Sequence, residues 1–144
     1  MRQKPVTDDL DPAYLANVAR VRAAAFYRDA LRRAERCPEL MGELGEPPEA
    51  DLPKGGIMSL TEGTPVERKV AREYLPMMMK MMRAEHPVGD ADRFAYLSVA
   101  LRGPKGRGDL TLFASAVAES WRVHVLEVAV QGRRDPINLL SPGS

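Results

Sequence analysis

The sequence predicts an α+β fold: a long N-terminal helix and a second, methionine-rich helix pack on one face of a C-terminal antiparallel β-meander. Three observations predict it. Apolar residues recur at helical spacing up to Arg36 and again after Thr64. After Arg93 the apolar period drops to two in three successive runs. The chain of 144 residues is 44% hydrophobic, which suits a single α+β domain spanning 1–144 with one core.

Asp11-Pro12 reads as an N-cap followed by proline at the first helical position. Tyr14, Val18, Val21 and Ala25 then keep helical spacing, and the pattern runs on through Tyr27, Leu31 and Ala34. One helix is expected over 12–36. In "CPELMGELGEPP", Pro38 starts a short helix over 39–43, Gly45 terminates it, and Pro47-Pro48 forbids continuation. From Ala50 to Gly63, Pro53, Gly55, Gly56 and Gly63 predict a loop with a short strand over 57–60.

Thr64-Pro65-Val66-Glu67 is a capping box, because Thr can accept from the backbone three residues on. It opens a helix over 65–82, bent near Pro76, which cannot donate to the preceding turn. Val66, Val70, Tyr74, Met77, Met78 and Met81 keep to one stripe, expected to face the core. Met79 and Met82 are harder to bury at the same time. They are assigned to an exposed apolar surface for a partner, since methionine suits adaptable docking.

The meander covers 93–140. "RFAYLSVALRG", "DLTLFASAV" and "WRVHVLEVAVQG" each alternate, and a short strand over 137–140 follows the turn "GRRDP". Ala114, Ala118, Trp121, Val125 and Val128 also fit a helical stripe. The β-branched valines favour strands, because they lose rotamer freedom in a helix. Trp121 is expected to anchor sheet to helix.

"LRGPKGRGDL" sits between two of these strands and contains G-x-x-G-x-G at Gly103, Gly106 and Gly108. A phosphate-binding loop needs Gly-Lys followed by Ser or Thr, and a strand leading into a helix. Here Lys105 precedes Gly106 and both flanks are strands, so the stretch is read as a hairpin turn. Its basic tip, Arg102, Lys105 and Arg107, is a candidate contact for an acidic partner, a lipid headgroup or RNA phosphate. "RGD" at Arg107 to Asp109 is three residues long and lacks a secretion signal to support it.

No catalytic, cofactor or metal residues are assigned. His86 and His124 have no second His or Cys at ligand spacing, and no serine or cysteine stands out as a nucleophile beside either. The single cysteine, Cys37, is read as a packing or capping residue. Asp90 and Asp92, or Glu67 and Glu73, form no defensible carboxylate pair. Twenty-one basic and twenty acidic residues leave a formal charge of +1, which argues against a dedicated nucleic-acid binder. No apolar run reaches transmembrane length, and "MRQKPVTDDLDP" is no signal peptide.

The order of motifs adds a resemblance. Phe26, Tyr27, Ala30 and Leu31, then Pro38, then Leu44, Gly45 and Pro47 form one block. Gly103, Gly106, Gly108, Leu110, Trp121, Val123, Leu126 and Val128 form the second. Together they cover about two-thirds of the chain. In that order and spacing the chain resembles the mitochondrial cytochrome c oxidase assembly factor 1 family. It is also similar to the related domain of the inner-membrane presequence-translocase subunit that binds the respiratory chain. The chain departs from these families in two ways. It lacks the transmembrane helix that usually precedes the first helix, and the methionine-rich segment replaces or adds to family strands. The resemblance implies a non-catalytic interaction module without cofactors, an assembly factor or accessory subunit. Its partners would be protein subunits of a larger membrane complex, with peripheral association at the mitochondrial inner membrane. Two alternatives come from the residues themselves: a small RNA- or ribosome-associated protein using the basic hairpin tip near Arg133 and Arg134, and a small-molecule-binding α+β domain. A bacterial or cytoplasmic location is compatible with the same composition.

Overall fold

The three alternating runs form the centre of the sheet. A computed structural model describes residues 1–82 and 93–140, with the backbone alone for 75, 77–82 and 117. Strands β4 (Arg93–Arg102), β5 (Arg107–Val117) and β6 (Ser120–Val130) make an antiparallel meander. The helical alternative after Ala114 is thereby excluded. Short β7 (Ile137–Asn138) extends the meander beside β6. At the other edge, β4 pairs antiparallel with two strands, β2 (Glu49–Ala50) at its C-terminal end and β3 (Lys54–Ser59) along its N-terminal half. Strand β1 (Arg2–Gln3) adds parallel to β2. The described residues thus hold four helices and a seven-stranded, mostly antiparallel sheet. β1 and β2 were not expected, and β3 is longer than the strand expected over 57–60. Two-residue strands carry too little pattern to read, and Gly55 adopts a φ of +85° inside β3, against a carbonyl of β4.

The expected single helix over 12–36 is two helices, α1 (Pro12–Ala23) and α2 (Ala25–Glu35), separated by Ala24 in an extended conformation. The reason lies in the buried residues. α1 buries Val18 and Val21, whereas α2 buries Phe26, Tyr27, Ala30, Leu31 and Ala34. At about 100° per residue, an unbroken helix would point these two sets roughly 180° apart. The break at Ala24 turns both inward. The Asp11 side chain caps α1 by accepting from the Ala13 N–H at 3.0 Å. α1 is tied to the β3 region by two side-chain donors: the Tyr14 hydroxyl to the Pro53 carbonyl (3.0 Å) and Asn17 Nδ2 to the Gly55 carbonyl (2.6 Å). α2 reaches β6, where Phe26 packs on Trp121 with ring centroids 4.6 Å apart, as the anchor role of Trp121 requires.

Helix α3 (Pro38–Leu44) follows, ended by Gly45 at φ +80°. The main core lies between α1–α3 and the sheet face carrying Leu97, Val99, Leu101, Leu110, Leu112 and Val128. α4 (Pro65–Met82) runs through Pro76 and packs on the opposite face. Its N-terminus is held as the capping box predicts, with the Glu67 N–H donating to Thr64 Oγ1 at 3.2 Å. The expectation that both helical units share one sheet face is therefore corrected. In β4, apolar residues occupy both faces near the start, with Phe94 and Tyr96 against Ala95 and Leu97. Such a run needs cover on each side.

The hairpin turn between β4 and β5 seats on the end of α3. The Lys105 N–H donates to the Leu44 carbonyl at 2.8 Å, and the Gly103 N–H closes the turn on the Gly106 carbonyl at 2.8 Å. A Cβ at Gly103 would lie 2.1 Å from the Leu44 carbonyl oxygen, and one at Gly106 would lie 2.9 Å from that of Glu43. At Gly108 it would lie 2.9 Å from Val128. The three glycines are there for close approach.

Two outcomes follow from this packing. Gly103→Ala should destabilise the fold by about 2–3 kcal/mol in urea unfolding, because backbone must move to admit the methyl. Gly42→Ala, at an exposed helical position with nothing within 4 Å, should stabilise it by about 0.5–1 kcal/mol. Tyr27 supplies the second test. Its ring is fully buried, its hydroxyl has no hydrogen-bond partner among the described residues, and burial pushes its pKa up to about 12. The neutral phenol's contribution is therefore complete below about pH 10 and is lost as pH rises toward about 12. Unfolding at alkaline pH should show a fall of about 2 kcal/mol across that window, absent in Tyr27→Phe.

Candidate interaction surfaces

Two surfaces and one polar pair carry the chemistry of this fold. The first surface is on α4. Val66, Val70 and Tyr74 are 71%, 37% and 48% exposed, while neighbouring Ala71 is fully buried against Phe94 and Phe113. The stripe expected to face the core therefore faces solvent in its described half. The small Ala71 lets the helix lie close on the aromatic pair, and this sets the helix rotation. Lys69 and Arg72 are exposed on the same helix. Met79 and Met82 lie in the last turns of α4, and their side chains are outside the described residues, as are His86, Asp90 and Asp92.

The second surface is the exposed end of the sheet face opposite the main core. Arg102 and Arg107 are directly opposed in the β4–β5 register. Like charges in that position repel. Glu49 pairs with Arg102 on the other side in register, and Arg2 pairs with Glu49, with 3.7 Å between charged atoms. Across four strands the row therefore reads cation, carboxylate, cation, cation. Asp51 holds Arg102 and Lys4, each at 3.5 Å. The Leu52 N–H holds the Asp51 carboxyl below the usual carboxylate range; burial opposes it, and Lys4 and Arg102 each add a smaller lowering effect. Arg107 makes no ion pair among the described residues. Beside it lies a hollow of about 480 Å³ lined by Ala100, Arg102, Arg107, Asp109, Ala129 and Gln131.

The basic tip is thus divided. Arg102 and Arg107 border the hollow, and Lys105 projects from the turn on the α3 side. Arg133 is brought to this same end of the sheet, since the Gln131 N–H bonds to the Arg107 carbonyl at 2.9 Å. Its guanidinium is engaged by Glu39 and by Glu43 (3.6 Å) of α3. That pairing withdraws Arg133 from any basic patch.

The polar pair is Ser115 and His124, whose Oγ and Nε2 are 2.6 Å apart. It escaped sequence reasoning because the β5–β6 register shifts between Phe113 and Ala114, leaving His124 out of the ladder. The ring also stacks on Phe113 at 5.5 Å. The distance suits a base and a hydroxyl. However, Ser115 is only 7% exposed, so its hydroxyl has little room for an incoming carbonyl. The arrangement satisfies one buried and one half-buried polar group.

Among the described residues, no cluster of three or more His, Cys, Asp or Glu side chains could hold a metal ion, and no helix is long and apolar enough to cross a membrane. Comparison of the chain with protein-family models, with characterised proteins and with solved structures finds no match.

Removing the hydroxyl tests the structural role of the pair. Ser115→Ala should cost about 1 kcal/mol in chemical denaturation, and Ser115→Thr, which retains an oxygen, should cost less.

Proposed function

We propose that the chain is a non-catalytic protein-interaction module, an assembly factor or accessory subunit docking on a mitochondrial inner-membrane complex of the respiratory chain or the translocase. The observation that carries this reading is the solvent-facing row Val66, Val70 and Tyr74 on α4. Three large apolar side chains aligned along one helix are costly to leave in water and are recovered when a partner covers them. Exposed Glu67 and Glu73 flank the row, and Lys69 lies beside Val66, so its border is charged with both signs. Met79 and Met82 follow in the same helix, and Lys105 offers a further contact at the hairpin tip. The resemblance in motif order to the assembly-factor family motivates the same reading. Association with the membrane is then through the partner.

A photo-reactive phenylalanine at position 74 should cross-link to a respiratory-chain or translocase subunit in native membranes. The double variant Val66→Glu/Val70→Glu should leave unfolding within about 0.5 kcal/mol of the parent, because both sites are exposed. It should also shift the chain from the large particle to free monomer on native gels. A parent chain that runs only as free monomer, without those subunits, overturns the reading.

A further inference from the structure

The open end of the sheet carries an inference beyond docking through α4. From the row of charges beside the hollow we infer that this is a binding site for a single carboxylate that has an N–H donor close to it, the chemistry of a peptide chain end. Three observations lead there.

First, the charge pattern is incomplete by one anion. Arg2, Lys4, Arg102 and Arg107 face Glu49, Asp51 and Asp109 around this end of the sheet, which leaves one positive charge in excess. The gap falls between Arg102 and Arg107, the two cations placed opposite each other. A carboxylate there accepts from both guanidinium groups and converts a repulsive pair into a clamp. A polyanion such as RNA would bring Asp109 and Asp51 against further negative charge.

Second, Asp109 fixes what must accompany the carboxylate. It lies two residues beyond Arg107 on the same strand, opposite Ala100 and Ala129. Residues at that spacing share a face and sit about 6.6–6.8 Å apart along the strand. An acceptor at that separation from the cation pair suits an N–H of the same ligand.

Third, the floor is low. Ala100 and Ala129 flank Asp109 in register on the neighbouring strands, and their small side chains leave the hollow of about 480 Å³ open above them. That volume falls within the range of ligand sites, and it admits a short extended segment rather than a lone ion. Gln131 at the rim offers one more polar contact.

The test is titration of the folded chain, followed by backbone amide resonances, with acetyl-Ala-Ala carrying a free carboxylate. The expected result is saturable shifts at Arg107, Gly108 and Ala129. The same peptide as its carboxamide should bind at least tenfold more weakly. Arg107→Gln should abolish the shifts while leaving the remaining spectrum in place, and Asp109→Asn should weaken them. Lys105→Gln, outside the hollow, should change nothing. Equal binding of free acid and carboxamide overturns the site. Equal saturation by acetate overturns the N–H requirement, and equal saturation by inorganic phosphate or oligouridylate overturns the monocarboxylate assignment. The glutamate variants of Val66 and Val70 should bind the peptide normally, so failure of the docking reading and failure of this site are separable.

Discussion

The seating of the β4–β5 turn on the C-terminal end of α3 is the contact on which the rest of the architecture depends. A helix end leaves carbonyl groups without partners inside the helix. Here the Lys105 N–H takes the Leu44 carbonyl, and the chain passes so close that neither Gly103 nor Gly106 has room for a side chain. The hairpin belongs to the two central strands, and α3 follows directly from α2. One backbone contact therefore locks the helical layer to the middle of the sheet. Leu40 and Leu44 are consequently buried against the face carrying Leu101 and Leu110. Lys105 also brings a positive charge to the negative end of the helix, which is favourable though small.

The same seating sorts the charges. α3 presents Glu39 and Glu43 to the turn after β6, and these engage Arg133. Arg102 and Arg107, on the far face of the hairpin, are beyond that neutralisation. Of these two arginines, Asp51 reaches only Arg102. An unpaired cation beside a hollow is a consequence of how three turns meet at one end of the sheet, since no local motif specifies it. The two surfaces described lie on one face of the sheet, with α4 covering the Phe94–Phe113 end and the hollow at the hairpin end. A protein with separate apolar and charged contact surfaces can engage two segments of a partner at once, which raises avidity without a new fold.

Much was legible in the sequence because local periodicity is a direct image of burial. The meander, the Thr64 cap, the α3 turn, the G-x-x-G-x-G hairpin and the role of Trp121 all read from residues close together in the chain. The break at Ala24 left a trace, since Val18 and Val21 fall on the opposite side of a continuous helix from Tyr27 and Leu31. No proline or glycine marked it, because alanine adopts the extended conformation there at little cost. The rotation of α4 had no such trace. Val66, Val70 and Tyr74 form as good a stripe as any core-facing row.

The sequence by itself determined the α+β class, the meander and the glycines that permit close approach. Those follow from backbone preferences and apolar spacing, which act within a few residues. Only the tertiary structure decided that α4 takes the second face of the sheet and that its aliphatic row turns to solvent. It alone opposed Arg102 to Arg107, occupied Arg133 with α3 carboxylates and brought Ser115 to His124. These depend on strand register and on which helix packs over which strand. Contacts of that kind join residues up to about a hundred positions apart, as Glu39 and Arg133 are, and leave no periodic mark in the chain.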